Sequence, residues 1–339
     1  MSSKSNHVIQ QRFLQKLKAI IPSNYSLVDE LADLLQISTD SAYRRIRGET
    51  AVSMDEVVRL CQHYKIPLGL LGADQTDGVT FNYKLVSDHT ESFKEYLTKL
   101  LADLQKIRSA HPNQVIYAAA DVPLFHHFNY PEQAAFKFFY WLNSVSNLPT
   151  LEGKSFTPSV IPAELIALGK QVYDVYCDIP SIEIWTEESA NSTIKQIDYY
   201  WEAGLFEQQD DAVLVVEQLA EMLNSIQKMA KQRNKNLANP ANNRRDEKEN
   251  FLLYHSEIQI GNNNILVQVG STKVNYLRHQ TFNYMYTTNT RFCNETEAWM
   301  ANLISKSILI SGVSEKQRYQ FFKGIQKNVA QLLAKVKEG

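Results

Sequence analysis

Between Leu31 and Gly48 the chain reads LADLLQISTDSAYRRIRG, and no other stretch narrows so far what it can fold into. Leu27, Leu31, Leu34 and Leu35 fall on one helical face behind Ser26, a residue type that caps helix starts. Ser38 or Thr39 begins another helix almost at once, and Gly48 suits a left-handed exit from it. Two helices joined this closely must cross near their junction. The crossing needs a small residue, here Ala32, and a tight turn about four residues later, here Gln36-Ile-Ser38. Ile37 is placed to plug the corner. In the second helix Ala42 and Ile46 are four apart and face inward, which leaves Thr39, Ser41, Tyr43, Arg44 and Arg47 outside.

These are the requirements of a helix-turn-helix, and the segment resembles the lambda-repressor and Cro type, often termed XRE-like, over about residues 26–71. The Arg-Gly that closes the second helix and the capping-box start Ser53-Met-Asp-Glu56 belong to the resemblance. The run Tyr-Arg-Arg-Ile-Arg-Gly-Glu is similar to that of bacterial regulators with a long C-terminal part. The resemblance implies an all-α N-terminal domain whose second helix enters the major groove of duplex DNA, with Ser38, Thr39, Ser41, Tyr43, Arg44, Arg45 and Arg47 as contacts. Two positions depart from the pattern. Gln36 stands where the family has Gly, and Arg45 where a core aliphatic is common, which leaves open whether Arg44 or Arg45 faces DNA. The plainer alternative is a solvated face of three arginines. Agreement between Ala32, the caps and Gly48 favours DNA.

Charge is consistent with local rather than global attraction. The 339 residues carry 35 Lys+Arg against 37 Asp+Glu, a net charge of −2, so the chain is no polycation. Residues 1–72 hold nine basic and seven acidic side chains, but three of the arginines fall within four positions. Residues 228–250 hold seven basic against three acidic and lose apolar periodicity, reading as a helix tail and polar linker that could also brush phosphates. Cys61, Cys177 and Cys293 are too sparse for a disulfide framework or zinc knuckle. The start MSSKSNHVIQQRF lacks the apolar core of a signal peptide, and no apolar run reaches ~18–20 residues. A cytoplasmic protein without membrane contact is expected.

The length suggests two or three units, and the pattern is α+β overall. Residues 1–72 form the helical DNA-binding domain: Ile9, Phe13, Leu17 and Ile20 start it, and Pro67–Leu71 make a short fifth turn. Residues 73–89 are a linker, 90–235 a mainly helical central region with short strands at 115–120 and 181–185, 236–250 a polar linker or loop, and 251–339 an α+β part. In that last part, alternation in Phe251–Ile260 and Ile265–Val269 around Gly261–Asn264 predicts a hairpin, a third strand is expected within 274–288, and helices at about 295–310 and 314–336.

Little else points to chemistry. Adjacent His126 and His127 diverge and have no nearby ligand partners, so a surface or core pair is favoured over a metal site. Asp210-Asp211 is expected to cap the following helix. No phosphate-binding loop, dinucleotide fingerprint, nucleophile elbow or His-Glu-x-x-His occurs, so no enzyme activity, cofactor or metal is expected. The aromatics Phe125–Trp141 and Tyr199–Trp201 are core or a ligand pocket. The expectation is a dimeric, sequence-specific transcription regulator with double-stranded DNA as partner and a small-molecule or peptide effector. The rivals are an enzyme with a DNA-binding head and a purely oligomerising repressor of phage type.

Overall fold

Residues 8–21, 25–64, 78–83, 90–145, 149–236, 249–279 and 283–339 are described by a computed structural model. The expected fifth turn at Pro67–Leu71, most of the 73–89 linker and residues 237–248 lie outside them. Contacts divide the chain into two units, Met1–Thr80 and Phe81–Gly339.

The first unit is built from α1 (Val8–Ile20), α2 (Leu27–Leu35), α3 (Thr39–Ile46) and α4 (Met54–His63). Phe13, Leu14 and Leu17 of α1, Leu31 and Leu35 of α2, Ala42 of α3 and Leu60 of α4 share one small core. Ile9, expected on the inner face of α1, is exposed. Two helix starts have a local cause: Ser38 Oγ accepts from Ser41 N–H, and Ser53 with Glu56 closes a complete capping box, whereas Ser26, expected to cap α2, stands at its N-cap without a side-chain hydrogen bond.

The second unit is mixed α/β, with one seven-stranded mixed sheet in the order β6-β5-β4-β1-β2-β3-β7. Its strands are β1 (Asn113–Ala119), β2 (Ser181–Trp185), β3 (Phe251–His255), β4 (Asn264–Val269), β5 (Thr272–Arg278), β6 (Tyr284–Thr287) and β7 (Ile308–Leu309). Only β1, β2 and β3 are parallel neighbours. Their crossovers are helical, as parallel pairing requires. The first crossover contains α6 (Leu124–His127), α7 (Pro131–Tyr140) and α8 (Ala163–Asp178), and the second α9 (Asn191–Glu202) and α10 (Gln209–Gln232). Before β1 runs α5 (Thr90–Ser109); α11 (Thr290–Ser305) and α12 (Glu315–Glu338) close the chain. Pleating divides the sheet's side chains. Val115, Tyr117, Trp185, Leu253 and Val267 enter the larger core, whereas Ala118, Ile184 and Leu266 meet Cys293, Met300 and Leu303 of α11. No described helix is long and apolar enough to cross a membrane.

Several expectations need correcting. Strands β3 and β4 form no hairpin, because β1 and β2 lie between them. The turn that closes a hairpin is Gly270-Ser271, joining β4 to β5 with Val269 opposite Thr272 and a positive φ of 59° at Gly270. The segment after β3 does not continue as a strand over 256–263, and Ile258, read as a strand residue, is 45 % exposed. The division between a central region and a C-terminal part also fails, since both contribute strands to one sheet. The 236–250 loop is closed at its neck: Arg233 C=O accepts from both Asn250 and Phe251 N–H, and the Lys235 side chain is buried rather than solvated. Asp210 and Asp211 sit inside the first turn of α10 behind Gln208, so neither occupies the cap position itself. Helix 295–310 begins earlier, at Thr290, because Asn289 accepts from Phe292 N–H and caps it.

Candidate nucleic-acid interface

Helix α3 is positioned by contacts with α1, α2 and α4. Helix α2 ends with Gln36 at φ 54° and ψ 48°, so the left-handed turn is made as a glycine would make it, by a residue that carries a Cβ. Ile37 N–H donates to Ala32 C=O at 3.0 Å and Gln36 N–H to Asp33 C=O at 3.4 Å, the paired bonds of a Schellman closure. Ile37, partly buried, packs on the shared core as the corner plug. At the other end, Glu49 N–H reaches Arg44 C=O at 2.8 Å, and Gly48 takes φ 76°.

The three arginines separate. Arg45 turns inward: its guanidinium meets Glu56 at 2.8 and 3.3 Å and Ser41 C=O at 3.3 Å, with side chains 15 % and 19 % exposed. Glu56 also accepts from Ser53 N–H at 2.8 Å. Burial raises the Glu56 carboxyl, but Arg45 and Ser53 outweigh it and hold the group below its ordinary range. Arg44 and Arg47 keep 55 % and 58 % of their side chains exposed, and both pair loosely with Glu49, at 3.9 and 3.1 Å. Tyr43 is exposed, as are Ser38 and Thr39, while Ser41 is half-buried. The expected contact set therefore divides. Thr39, Tyr43 and Arg47 follow one helical stripe with Arg44 beside it, and Arg45 is a positioning residue.

Two contributors escaped the sequence reading. Gln10 of α1 donates to Arg45 C=O and Thr50 C=O, each at 2.8 Å, and accepts from Val52 N–H at 3.0 Å. One amide thus ties the loop after α3 to α1. Glu49 is the other, a carboxylate between the two exposed arginines. Only the unusual density of charge around Gly48 hinted at it.

In the second unit, His126 and His127 are both buried, as a core pair would be. His126 Nε2 lies 2.9 Å from Glu183, which also accepts from Tyr176 at 2.6 Å and Trp185 Nε1 at 2.9 Å. His127 is held well below its ordinary pKa by burial and by Lys137 and His126. Among the described residues no group of three His, Cys, Asp or Glu side chains could hold a metal ion. The rings of Phe136, Phe139, Phe156, Tyr200 and Phe206 stack and abut one another as core, not pocket. A groove of about 1030 Å³ opens beyond the carboxyl ends of β1, β2 and β3, lined by Tyr140 and Tyr199 of the expected aromatic set together with Thr186, Ser192, Lys195, Gln196 and Ser256. No family model, curated protein or solved structure matches the chain.

Proposed function

We propose that the chain is a sequence-specific transcription regulator that reads duplex DNA through α3 as a homodimer. One observation carries the reading: the helix is gripped from behind, through Arg45, Glu56 and Gln10, while Thr39, Tyr43, Arg44 and Arg47 point outward from a rigid backbone. A surface helix with no task needs no such grip. In a major groove the two exposed arginines exchange Glu49 for base edges or phosphates, and the α3 N-terminus at Ser38 and Thr39 faces the backbone. A single small head buries too little surface for tight binding. Pairing two heads through residues 81–339 raises their effective concentration and sets half-sites about 34 Å apart.

Selection of bound duplexes from a random pool, with the full-length protein, supplies the site. Titration across a salt series then compares wild type with the Arg44→Ala/Arg47→Ala double variant. Each base-reading arginine is worth about 1–3 kcal/mol, so affinity falls at least tenfold. Undiminished affinity sinks the reading, and a monomer by sedimentation sinks the dimer. An enzyme carrying a DNA-binding head is the second reading, favoured by the groove at the carboxyl ends of the parallel strands, where open α/β sheets hold ligands. Mass spectrometry of cell extract incubated with the protein separates the two: a consumed metabolite supports the enzyme.

A further inference from the structure

We infer that the second unit holds a site for a small, neutral, single-ring ligand, in a cavity of about 120 Å³ between α5 and the antiparallel half of the sheet. One wall is the inner face of α5, with Leu100 and Leu104; the other is the sheet, with Ile265, Val267 and Tyr276. Strand register makes that wall continuous: Tyr117, Ile265, Tyr276 and Tyr286 are successive cross-strand partners over four strands.

Size, polarity and charge fix the ligand class. Protein interiors are close-packed, and voids larger than a water molecule are few. The volume here is somewhat below the ~150 Å³ of an engineered apolar cavity that takes benzene. A water molecule needs two to four polar partners, and these walls offer mostly carbon. Tyr284 lines the cavity beside Tyr96, Tyr276, Tyr286 and Asn283; its hydroxyl lies 3.0 Å from that of Tyr117 and accepts from Asn263, and a ligand hydroxyl has these tyrosine and amide groups to pair with. Lys99 and Asp103 also border the cavity, one charge of each sign, so the rim has no net charge to favour an anion over a neutral ring. Phenol and p-cresol have the required ring and single polar group, and a cavity of this size takes them only if the walls give slightly.

The position suggests a consequence. Helix α5 is the first helix of the second unit in the chain, so a ligand beneath it loads the element that follows the DNA-reading head in sequence. This consequence rests on the reading of α3; binding itself does not.

The experiment is calorimetric titration and thermal melting of the full-length protein with phenol and p-cresol, and with benzoate as an anion of similar size. Saturable binding is expected at about millimolar concentration, with a melting temperature that climbs with ligand, and none with benzoate. Val267→Phe fills the cavity and abolishes binding; Leu104→Phe does the same from the helix side should the first variant fail to fold. Absence of phenol and p-cresol binding overturns the site. Equal binding of benzoate overturns the ligand class, and unchanged binding in both filled variants overturns the location. With the selected duplex present, phenol should shift DNA affinity several-fold. Phenol binding without that shift overturns the link to DNA, and phenol binding by a protein that holds no duplex overturns the reading of α3 and the link with it.

Discussion

The two units treat charge in opposite ways. In the first, the core is apolar, and the Arg45–Glu56 grip stays at its edge where solvent still reaches it. In the second, Glu183, His126, Lys137 and Lys235 are all but excluded from solvent. A small core cannot surround a charge with enough hydrogen bonds to offset its desolvation, and a large one can. Glu183 shows the difference. It stands on the pleat that faces the thick core, and three donors from α6, α8 and β2 converge on it. Burial raises its carboxyl, yet His126, Tyr176 and Lys235 prevail and keep it below its ordinary pKa. The Arg45–Glu56 pair therefore positions α3 at little cost in burial, whereas the buried charges of the second unit hold its core.

Removing Glu183 tests this most severely. Glu183→Ala leaves three buried groups without their acceptor and should cost about 3–5 kcal/mol. All four tryptophans, Trp141, Trp185, Trp201 and Trp299, lie in the second unit, so their fluorescence in urea reports on it alone. Protection of the buried Cys61 thiol against labelling reports on the first and should not change. A loss under about 1 kcal/mol would show that the network is ornamental.

Lys235 offers a pH test. Its ammonium donates to Ile179 C=O at 2.6 Å and Ser181 Oγ at 2.8 Å, and burial, against the pull of Cys177 and Glu183, lowers its pKa to about 8. The unfolded chain keeps that proton to about pH 10.5, so between these values the unfolded state binds more protons and raising the pH favours the folded state. Relative to Lys235→Met, wild type should gain up to about 3 kcal/mol across that window. Urea titrations at pH 7.5 and 9.5 read it, the ionisation of tyrosines and cysteines on unfolding being common to both proteins and cancelling in the difference. A flat difference would mean that the folded protein keeps the Lys235 proton through pH 9.5 and that burial does not lower its pKa.

Two smaller effects belong to the first unit. Gln36→Gly relieves a left-handed Cβ and should stabilise that unit by about 0.5–1 kcal/mol, seen as slower Cys61 labelling. Glu49→Gln removes the carboxylate between Arg44 and Arg47 and should tighten duplex binding about two- to fivefold, most at low salt. Weaker binding would mean that Glu49 orients the arginines rather than competing for them.

What was legible in the sequence had local causes. Ser38, Gly48 and the Ser53–Glu56 box announce helix ends because each acts within a few residues. The inward turn of Arg45 escaped because its partner comes eleven positions later, on another helix. The surroundings of His126 escaped for the same reason at greater range: Glu183 is 57 residues on. Strand pairing was misread where two adjacent alternating runs invited a hairpin, while β3 had a parallel partner in β2 from a distant part of the chain. Alternation says that a run is a strand; it does not say which strand lies beside it.

The strand order also bears on synthesis. β1 and β2 lie at the centre of the sheet, yet both their outer neighbours, β4 and β3, are made later. At roughly 5–20 residues per second, β1 awaits β4 for about 7–30 s after leaving the ribosome. Between the making of β2 and of β3, about 3–13 s of that interval, the nascent chain carries a two-stranded ribbon with both edges bare, in the form most apt to pair with a neighbouring polypeptide. A slowly translated stretch between residues 186 and 263 would prolong the exposure. Holdase chaperones should therefore engage this protein on the ribosome before they meet it released.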